Sequence, residues 1–375
     1  MENSRPQEKQ SRLANPEMRG HLEKRKFYNF LPPTVFAALL YRGKKITLCQ
    51  MMAALSPPTL SSLPDSLLLQ ILVGLPPRDR LGVARVCKRW HRLVRDNLLW
   101  RHVDLSSCRI SSKTLWHLLR NYFRGNLQTL KLRGSLRSFR KQEVLTSALL
   151  QALDKQCPKL HQLSLMELDL RSFQYGCMPS SLTTLELRYC EIPFVWFQVP
   201  ETPGTFPRIQ KLSIQNVPAF SNQHLLNIAT QGTLKTLILS EVYRITDVGI
   251  QEVAPRLKDL QHLALRHCSI GDSAMHFTGR HMKQLHRLDL RSNSLTDAGL
   301  LCLSGLPNIE SLCLRDCSQL SPETILIVCQ SLPSLKHLDL RGINFEDKIF
   351  QKIQLGLPSC TVANTIPCTD FSAIS

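Results

Sequence analysis

Nine short stretches of alternating apolar and variable residues recur along most of the chain. Each contains a large aliphatic residue, two variable residues, Leu, one variable residue, and Leu or Ile, and successive stretches begin 22 to 33 residues apart. They begin at Leu127, Leu160, Leu182, Ile209, Leu234, Leu260, Leu285, Ile309 and Leu335. Because side chains alternate between the two faces of a strand, the pattern predicts strands with one aliphatic face and one variable face.

This motif and spacing are the signature of leucine-rich repeats. The predicted fold class is α/β: a short three-helix domain followed by a curved repeat solenoid, with a parallel sheet on the concave side and helices on the convex side. The solenoid is predicted for residues 106–357, with about nine to ten repeats, and a C-terminal tail for residues 358–375. The stretch 103–105 is predicted to be a degenerate first strand.

Residues 60–105 have apolar residues at helical spacing and form the predicted three-helix domain. The first helical stripe comprises Leu67, Leu68, Ile71 and Leu72. Asp65 stands where it can cap this helix, and further helical segments begin at Asp79 and near Cys87. A core of some forty residues is marginal by itself, so we expect much of its apolar surface to remain available for a partner.

The chain is basic, with 47 Lys and Arg residues against 29 Asp and Glu residues and a net charge of +18. The excess is spread along the chain, so its field attracts acidic proteins, phosphorylated segments or nucleic acid without selecting among them. Residues 1–59 are polar, basic and without periodicity, which predicts a disordered N-terminal extension.

Cysteine usage and missing motifs narrow the class of protein further. Thirteen cysteines, an odd number without a recognisable signal peptide, predict reduced thiols and a cytoplasmic and/or nuclear location. No apolar stretch is long enough for a membrane span. The sequence has neither a P-loop nor a C-x-x-C pair, so we expect no catalytic residue, no metal site and no cofactor. His262, His267 and Cys268 cluster within one repeat and could suggest a metal site, but we interpret them as a concave-face histidine and a buried repeat thiol, because matching ligands in a second repeat are missing.

The three-helix domain resembles an F-box along almost its whole length. The matching residues are Leu63-Pro64-Asp65, Leu72, Leu75-Pro76, Asp79-Arg80-Leu81, Arg85-Val86-Cys87-Lys88-Arg89-Trp90, Leu93 and Leu99-Trp100. An F-box followed by leucine-rich repeats resembles the F-box and leucine-rich repeat family. The resemblance implies the substrate-recognition subunit of an SCF-type ubiquitin ligase, a receptor that is not itself an enzyme. Its F-box would bind Skp1, and through Skp1 the cullin and the RING subunit, while its repeats bind the protein to be ubiquitinated for proteasomal degradation.

The Skp1 contacts implied by this resemblance are Leu63, Pro64, Leu67, Leu68, Ile71, Leu72, Leu75, Pro76, Leu81, Val86, Cys87, Trp90, Leu99 and Trp100. For Trp100 the alternative is that it fills the core and the joint to the first repeat. Two alternative functions remain: a Skp1-bound repeat scaffold without ligase output, and a nucleic-acid-binding solenoid. The second lacks concave-face aromatic residues that would stack on bases, so nucleic acid is the less favoured partner.

The variable residues of the repeats form the predicted substrate face. The candidate contacts are Arg133, Arg188, His262, Arg266, Arg287, Arg291, Arg315, His337 and Arg341. Six of them are arginines that follow the last aliphatic residue of a repeat, and such a row would suit carboxylates or phosphates of an acidic or phosphorylated substrate. The alternative is an internal charge ladder, in which Glu186, Asp289 and Asp339 neutralise the arginines.

Overall fold

The structure, a computed structural model, describes residues 60, 63–123, 125–136, 144–198 and 206–364. The predicted N-terminal extension 1–59 and the last residues of the predicted tail, 365–375, lie outside these. From Pro64 onward the described residues belong to one compact unit.

Three short helices form the domain that precedes the repeats. They are α1 (Asp65–Val73), α2 (Pro77–Val83) and α3 (Lys88–Val94), followed by a 3₁₀ turn, Asn97–Trp100. Pro64 and Pro76 occupy the N-cap positions of α1 and α2, where an extended backbone suits proline. Asp65 is the first residue of α1 and makes no capping bond, so the predicted cap is wrong. Its carboxylate instead contacts Arg89 and Arg92 of α3, at 2.7 and 2.6 Å.

Eleven strands form one parallel sheet in which each strand pairs with the next along the chain. They are β1 (His102–Asp104), β2 (Thr129–Arg133), β3 (Gln162–Met166), β4 (Thr184–Arg188), β5 (Lys211–Gln215), β6 (Thr236–Ser240), β7 (His262–Arg266), β8 (Arg287–Asp289), β9 (Ser311–Cys313), β10 (His337–Asp339) and β11 (Thr361–Ala363). The predicted degenerate strand is β1, and β11 continues the sheet past residue 357, where the tail was predicted to begin.

The register aligns the leucines of successive repeats. Leu237 of β6 lies opposite Leu263 of β7, which lies opposite Leu288 of β8, and all three side chains are buried. Because every repeat contributes the same aliphatic positions, the solenoid core is a continuous stack, and the residues between them line the other face of the sheet.

Helices cover the convex side of most repeats. They are α4 (Ser112–Leu118), α5 (Ser147–Gln156), α6 (Asn222–Ala229), α7 (Asp247–Val253), α8 (Asp272–His281), α9 (Asp297–Leu301), α10 (Pro322–Gln330) and α11 (Asp347–Gly356). Between β3 and β4 a 3₁₀ turn, Tyr175–Cys177, takes the place of a helix. After β4 the segment 193–198 lies along α6, and the side chains of His224 and Asn227 on α6 and of Gln231 just after it contact carbonyl oxygens of this segment.

In four pairs of consecutive repeats, a side chain in the first turn of one helix accepts a hydrogen bond from the backbone just before the next helix. The backbone N–H groups of Thr246, Gly271, Thr296 and Ser321 donate to Asn222, Asp247, Asp272 and Asp297, at 3.1, 2.8, 2.9 and 2.8 Å. Each of these donors precedes a helix and has no partner within it. The clamp therefore links consecutive repeats along the convex edge.

Replacement of Asp272 by Ala tests this clamp. We expect a loss of about 1–2 kcal/mol in the free energy of unfolding, because the carboxylate accepts from both the backbone N–H and the hydroxyl of Thr296. Urea denaturation measures the loss. Asp259→Ala is the control, since this exposed residue makes no hydrogen bond to any part of the chain that the structure describes. Equal effects of the two substitutions would contradict the clamp.

Candidate functional site

Four of the predicted Skp1 contacts are core residues. Leu68, Leu72, Leu99 and Trp100 are at most 2% exposed, so their side chains are inaccessible to a partner and we withdraw them from the contact set. Leu68 and Leu72 lie one helical turn apart on the buried side of α1, as the spacing of an amphipathic helix requires.

Trp100 joins the three-helix domain to the first repeat. Its indole Nε1–H donates to the Val94 carbonyl at 2.6 Å, and its ring lies 4.8 Å from that of Tyr122 and 6.2 Å from that of Phe123. Tyr122 and Phe123 belong to the π-helical turn that follows α4, so the indole connects the two parts of the compact unit. Trp100 therefore lies where the alternative interpretation placed it, in the core at the joint between the three-helix domain and the first repeat.

The other ten predicted contacts retain accessible surface. Pro64, Leu67, Pro76, Val86 and Cys87 are exposed, and Leu63, Ile71, Leu75, Leu81 and Trp90 are partly exposed. Two further exposed apolar side chains, Val73 and Leu98, were missed. Val73 follows Leu72 at the end of α1, and the sequence gives no signal that separates the two by exposure. Large exposed apolar side chains on so small a domain form a candidate protein-binding surface.

Arg80 holds this domain together and was also missed as a functional position. The buried guanidinium donates to the carbonyls of Leu72, Leu75 and Val73, at 3.1, 2.7 and 3.0 Å, and also to that of Leu99. It thereby satisfies carbonyl groups at the end of α1 that have no partner within the helix. Burial lowers the pKa of this guanidinium, which remains charged at neutral pH.

The Asp65 contacts provide a second link, between α1 and α3. The hydrogen bond from Arg89 is the largest cause that holds the pKa of Asp65 below its ordinary value, and Arg92 acts in the same direction. The three side chains are largely accessible, so this is a surface ion pair that orients the helices with little effect on stability.

The variable residues of the sheet fall into three columns, named by their position in the strand. In β6 these positions are Thr236 in the first column, Ile238 in the third and Ser240 in the fifth. The fifth column continues beyond the ends of the shorter strands. The Arg291 carbonyl accepts from the backbone N–H of His267, and the Arg315 carbonyl accepts from that of Ser292, both at 2.9 Å.

The fifth-column arginines are mostly engaged by carboxylates. Asp289 contacts Arg266 of the preceding repeat at 2.7 Å and Arg291 of its own repeat at 3.3 Å. Arg133 binds Glu167 at 2.8 Å, and Arg315 lies 3.4 Å from Asp316. Arg188 is exposed and forms no ion pair with any described residue. The predicted charge ladder thus exists around Asp289. Glu186, another of its predicted acids, instead accepts a hydrogen bond from the Gln162 side chain at 3.4 Å.

Arg341 belongs to the interior. It binds Asp339 through two side-chain nitrogens, Nε at 2.8 Å and Nη2 at 2.6 Å, and its side chain is 4% exposed. Burial alone would raise the pKa of Asp339, but the hydrogen bonds from Arg341 hold it below its ordinary value. The predicted substrate contact of Arg341 is therefore wrong, because this ion pair buries the guanidinium inside the last repeats.

The remaining candidates lie in the first column. Arg287 and His337 are exposed, and His262 is partly buried in the middle of the sheet. Burial, followed by the charges of Arg287 and Arg266, lowers the pKa of His262 to about 4. The imidazole is therefore neutral at physiological pH, when it can donate one hydrogen bond and accept another.

No group of three or more His, Cys, Asp or Glu side chains suited to a metal occurs within the described ranges. His262 and His267 lie near opposite ends of β7, and the Cys268 thiol is buried against the Leu239 carbonyl. Burial also raises the pKa of the Cys313 thiol to about 12, which leaves it unreactive at neutral pH. Across the described segments, no helix has the length and apolar character that a bilayer crossing requires.

Two family models agree with this organisation. An F-box-like family model matches residues 60–106, and a Leucine Rich repeat model matches residues 281–304. Human F-box/LRR-repeat protein 12 is 39% identical over 310 residues, which cover 81% of this chain and 95% of that protein, and the mouse protein of that name is 37% identical over the same length. An internalin from Listeria monocytogenes has a TM-score of 0.42 at 18% identity, over 66% of this chain and 63% of its own.

Short stretches of the sequence, among them 99–105 and 182–192, predicted similarity to F-box/LRR-repeat protein 12, and the comparison over 310 residues confirms it. The chain belongs to the F-box and leucine-rich repeat family, whose members are non-catalytic, Skp1-binding substrate adaptors of SCF-type ubiquitin ligases.

Proposed function

We propose that this chain is the substrate-recognition subunit of an SCF-type ubiquitin ligase that directs a bound protein to proteasomal degradation. Its F-box binds Skp1, and Skp1 connects it to the cullin and the RING subunit. Its repeats hold the substrate on the concave face of the sheet. The observation that carries this proposal is the accessible apolar surface of the F-box, which includes Leu67 and Val86, on a domain joined tightly to the sheet.

The joint supports the proposal because ubiquitin transfer depends on proximity. Trp100 contacts Tyr122 and Phe123 of the first repeat, and Arg80 ties the end of α1 to the Leu99 carbonyl beside it. A substrate on the sheet would therefore keep a fixed position relative to Skp1. Such positioning raises the effective concentration of substrate lysines near the charged conjugating enzyme.

The proposed substrate contacts follow from accessibility. Arg133, Arg188, Arg287 and His337 are exposed on the concave face, and His262, Arg266, Arg291 and Arg315 are partly exposed. Together they give this face a positive character that suits an acidic surface on the substrate.

Skp1 binding tests the F-box assignment. We expect the double substitution Leu67→Glu and Val86→Glu to weaken Skp1 binding at least thirtyfold, about the effect of losing a 2 kcal/mol hot spot, because each adds a charge to an apolar interface. Titration of the purified full chain with Skp1 measures the affinity. Ile327→Glu is the control, since Ile327 is 57% exposed on α10, on the convex side.

Ubiquitin transfer separates the proposal from a scaffold without ligase output. We expect the wild-type chain to assemble with Skp1, cullin and RING subunits and to promote ubiquitination of a captured target, and the double variant to do neither. Skp1 binding without cullin recruitment would favour the scaffold. Binding to a single-stranded oligonucleotide that declines steeply with salt, together with no Skp1 binding, would favour the nucleic-acid alternative.

A further inference from the structure

The first column of the sheet carries positive charge and no carboxylate on any of the eleven described strands. Its residues are His102, Thr129, Gln162, Thr184, Lys211, Thr236, His262, Arg287, Ser311, His337 and Thr361. The acids of the sheet, Asp104, Glu186, Asp289 and Asp339, all lie in the third column. The negative charges that neutralise the fifth column are thus absent from the opposite edge of the concave face.

The residues just before the first column have the same bias. They are Arg101, Gln128, His161, Thr183, Gln210, Lys235, Gln261, His286, Glu310, Lys336 and Cys360. Glu310, the only acid among them, binds Lys336 at 2.9 Å, and this hydrogen bond is the largest cause of its lowered pKa. The charge of Arg287 also acts on Glu310, but one acid stands against Arg101, Lys235 and Lys336 in this set, so the edge of the sheet keeps a net positive charge.

Lys211, His262 and Arg287 bring this charge together near the middle of the solenoid. They lie on β5, β7 and β8, so Lys211 and Arg287 are three strands apart, roughly 14–15 Å at their backbones. Their positive charges both act on the imidazole: after burial, the charges of Arg287, Arg266 and Lys211 lower the pKa of His262. Lys211 forms no ion pair with any residue that the structure describes.

Asp289, whose negative charge acts on His262, offers little compensation. It is itself buried and is held by Arg266 and Arg291 of the fifth column. An oxyanion bound at the first column would therefore have the cations Lys211 and Arg287 and an N–H of His262 as its neighbours. Its negative charge would offset the positive charges that act on His262. Charge-assisted hydrogen bonds of this kind are the strong ones in protein recognition.

We propose that Lys211, His262 and Arg287 form an oxyanion subsite that binds a phosphorylated or carboxylate-rich segment of the substrate protein. This proposal rests on the proposed function, which it deepens by naming the substrate chemistry and by moving the anion site from the fifth column to the first. A protein segment fits better than nucleic acid, because the first and third columns contain no Phe, Tyr or Trp on the described strands to stack on bases.

Three matched peptide pools test the subsite. Each pool has random flanking residues around a central phosphoserine, glutamate or serine, and fluorescence anisotropy measures its binding to the full chain in complex with Skp1. We expect the phosphoserine pool to bind at least about tenfold more tightly than the serine pool, with the glutamate pool between them. The double variant Lys211→Ala/Arg287→Ala should lose this preference.

The control is Arg280→Ala/Lys352→Ala, which removes the same charge from exposed positions on the convex helices α8 and α11 and should change phosphoserine binding less than about twofold. Equal losses of phosphoserine binding in both double variants would show that the positive charge of the whole chain, and not a defined subsite, attracts the peptide, and would overturn the proposal. Equal binding of the phosphoserine and serine pools would do the same, as would an oligonucleotide that binds more tightly than phosphoserine and depends on Lys211 and Arg287.

These outcomes are independent of the adaptor role. Skp1 affinity should be unchanged in both double variants, since none of the four residues lies in the F-box. If Skp1 binding and ubiquitin transfer persist while the pools bind equally, the subsite fails and the proposed function stands. If the chain does not bind Skp1, the proposed function fails, and the same pools, measured on the full chain alone, still decide the subsite.

Discussion

Trp100→Ala is expected to lower the free energy of unfolding by about 3–5 kcal/mol and to weaken Skp1 binding as a consequence. The indole is completely buried, so the substitution leaves a large cavity and removes the hydrogen bond to the Val94 carbonyl. It also removes the aromatic contact with Tyr122 and the ring under the Arg80 guanidinium, 5.9 Å away. Thermal unfolding of the full chain, followed by circular dichroism, measures the loss.

Trp116→Ala is the matched control for this experiment. Trp116 lies on α4, close to the joint, but is only partly buried and has the Arg120 guanidinium 5.3 Å from its ring centre. We expect its loss to cost much less than that of Trp100. Limited proteolysis of Trp100→Ala should show faster cleavage between the F-box and the first repeat. A Trp100 variant as stable as the Trp116 variant would show that the joint does not depend on this ring.

The sheet could be predicted from the sequence because each strand carries its own signal. The alternation of apolar and variable residues identifies β2 to β10 individually, and the regular spacing implies that they stack in chain order. The last strand, β11, was missed because Cys360 and Val362 replace the usual leucines. Its place in the sheet comes from pairing with β10 rather than from its own residues.

The environment of the charged side chains could not be predicted in the same way. A run of arginines in one column gives no information about which acid each one meets. Asp289 binds Arg266 on the preceding repeat as well as Arg291 on its own, and only the register of β7 against β8 brings the first pair together. Arg80 presents the same difficulty, because its carbonyl partners come from the end of α1 and from Leu99.

The sequence contains the basic residues of the first column, but the sequence alone does not distinguish them from the other basic residues of the concave face. Lys211 is a variable residue of a repeat but was not among the candidate substrate contacts, while His262 and Arg287 were grouped there with the fifth-column arginines. The distinction between the columns arises from the acids Glu167, Asp289, Asp316 and Asp339, which contact fifth-column arginines, whereas no acid lies in the first column of the described strands. The proposed subsite therefore keeps the chemistry of the predicted anion site and changes only its place in the sheet.

A second large effect is expected from Asp339→Ala. The substitution leaves the Arg341 guanidinium buried without its carboxylate, and we expect a loss of about 3–5 kcal/mol in the free energy of unfolding. Asp316→Ala provides the comparison, since its contact with Arg315 is partly exposed and should contribute less than about 1 kcal/mol. Urea denaturation at neutral pH measures both.

The double variant Asp339→Leu/Arg341→Met removes both charges. It shows whether the stability lost in Asp339→Ala comes from the missing ion pair itself or from the buried Arg341 charge that remains without Asp339. With both charges removed, no buried ion remains, so we expect it to be more stable than Asp339→Ala. The pH dependence gives an independent check. Because the folded-state pKa of Asp339 lies below its ordinary value of 3.8, its contribution is complete at neutral pH and is lost as the pH falls through that folded-state pKa. A double variant no more stable than the single one would contradict the account of a mutually dependent buried pair.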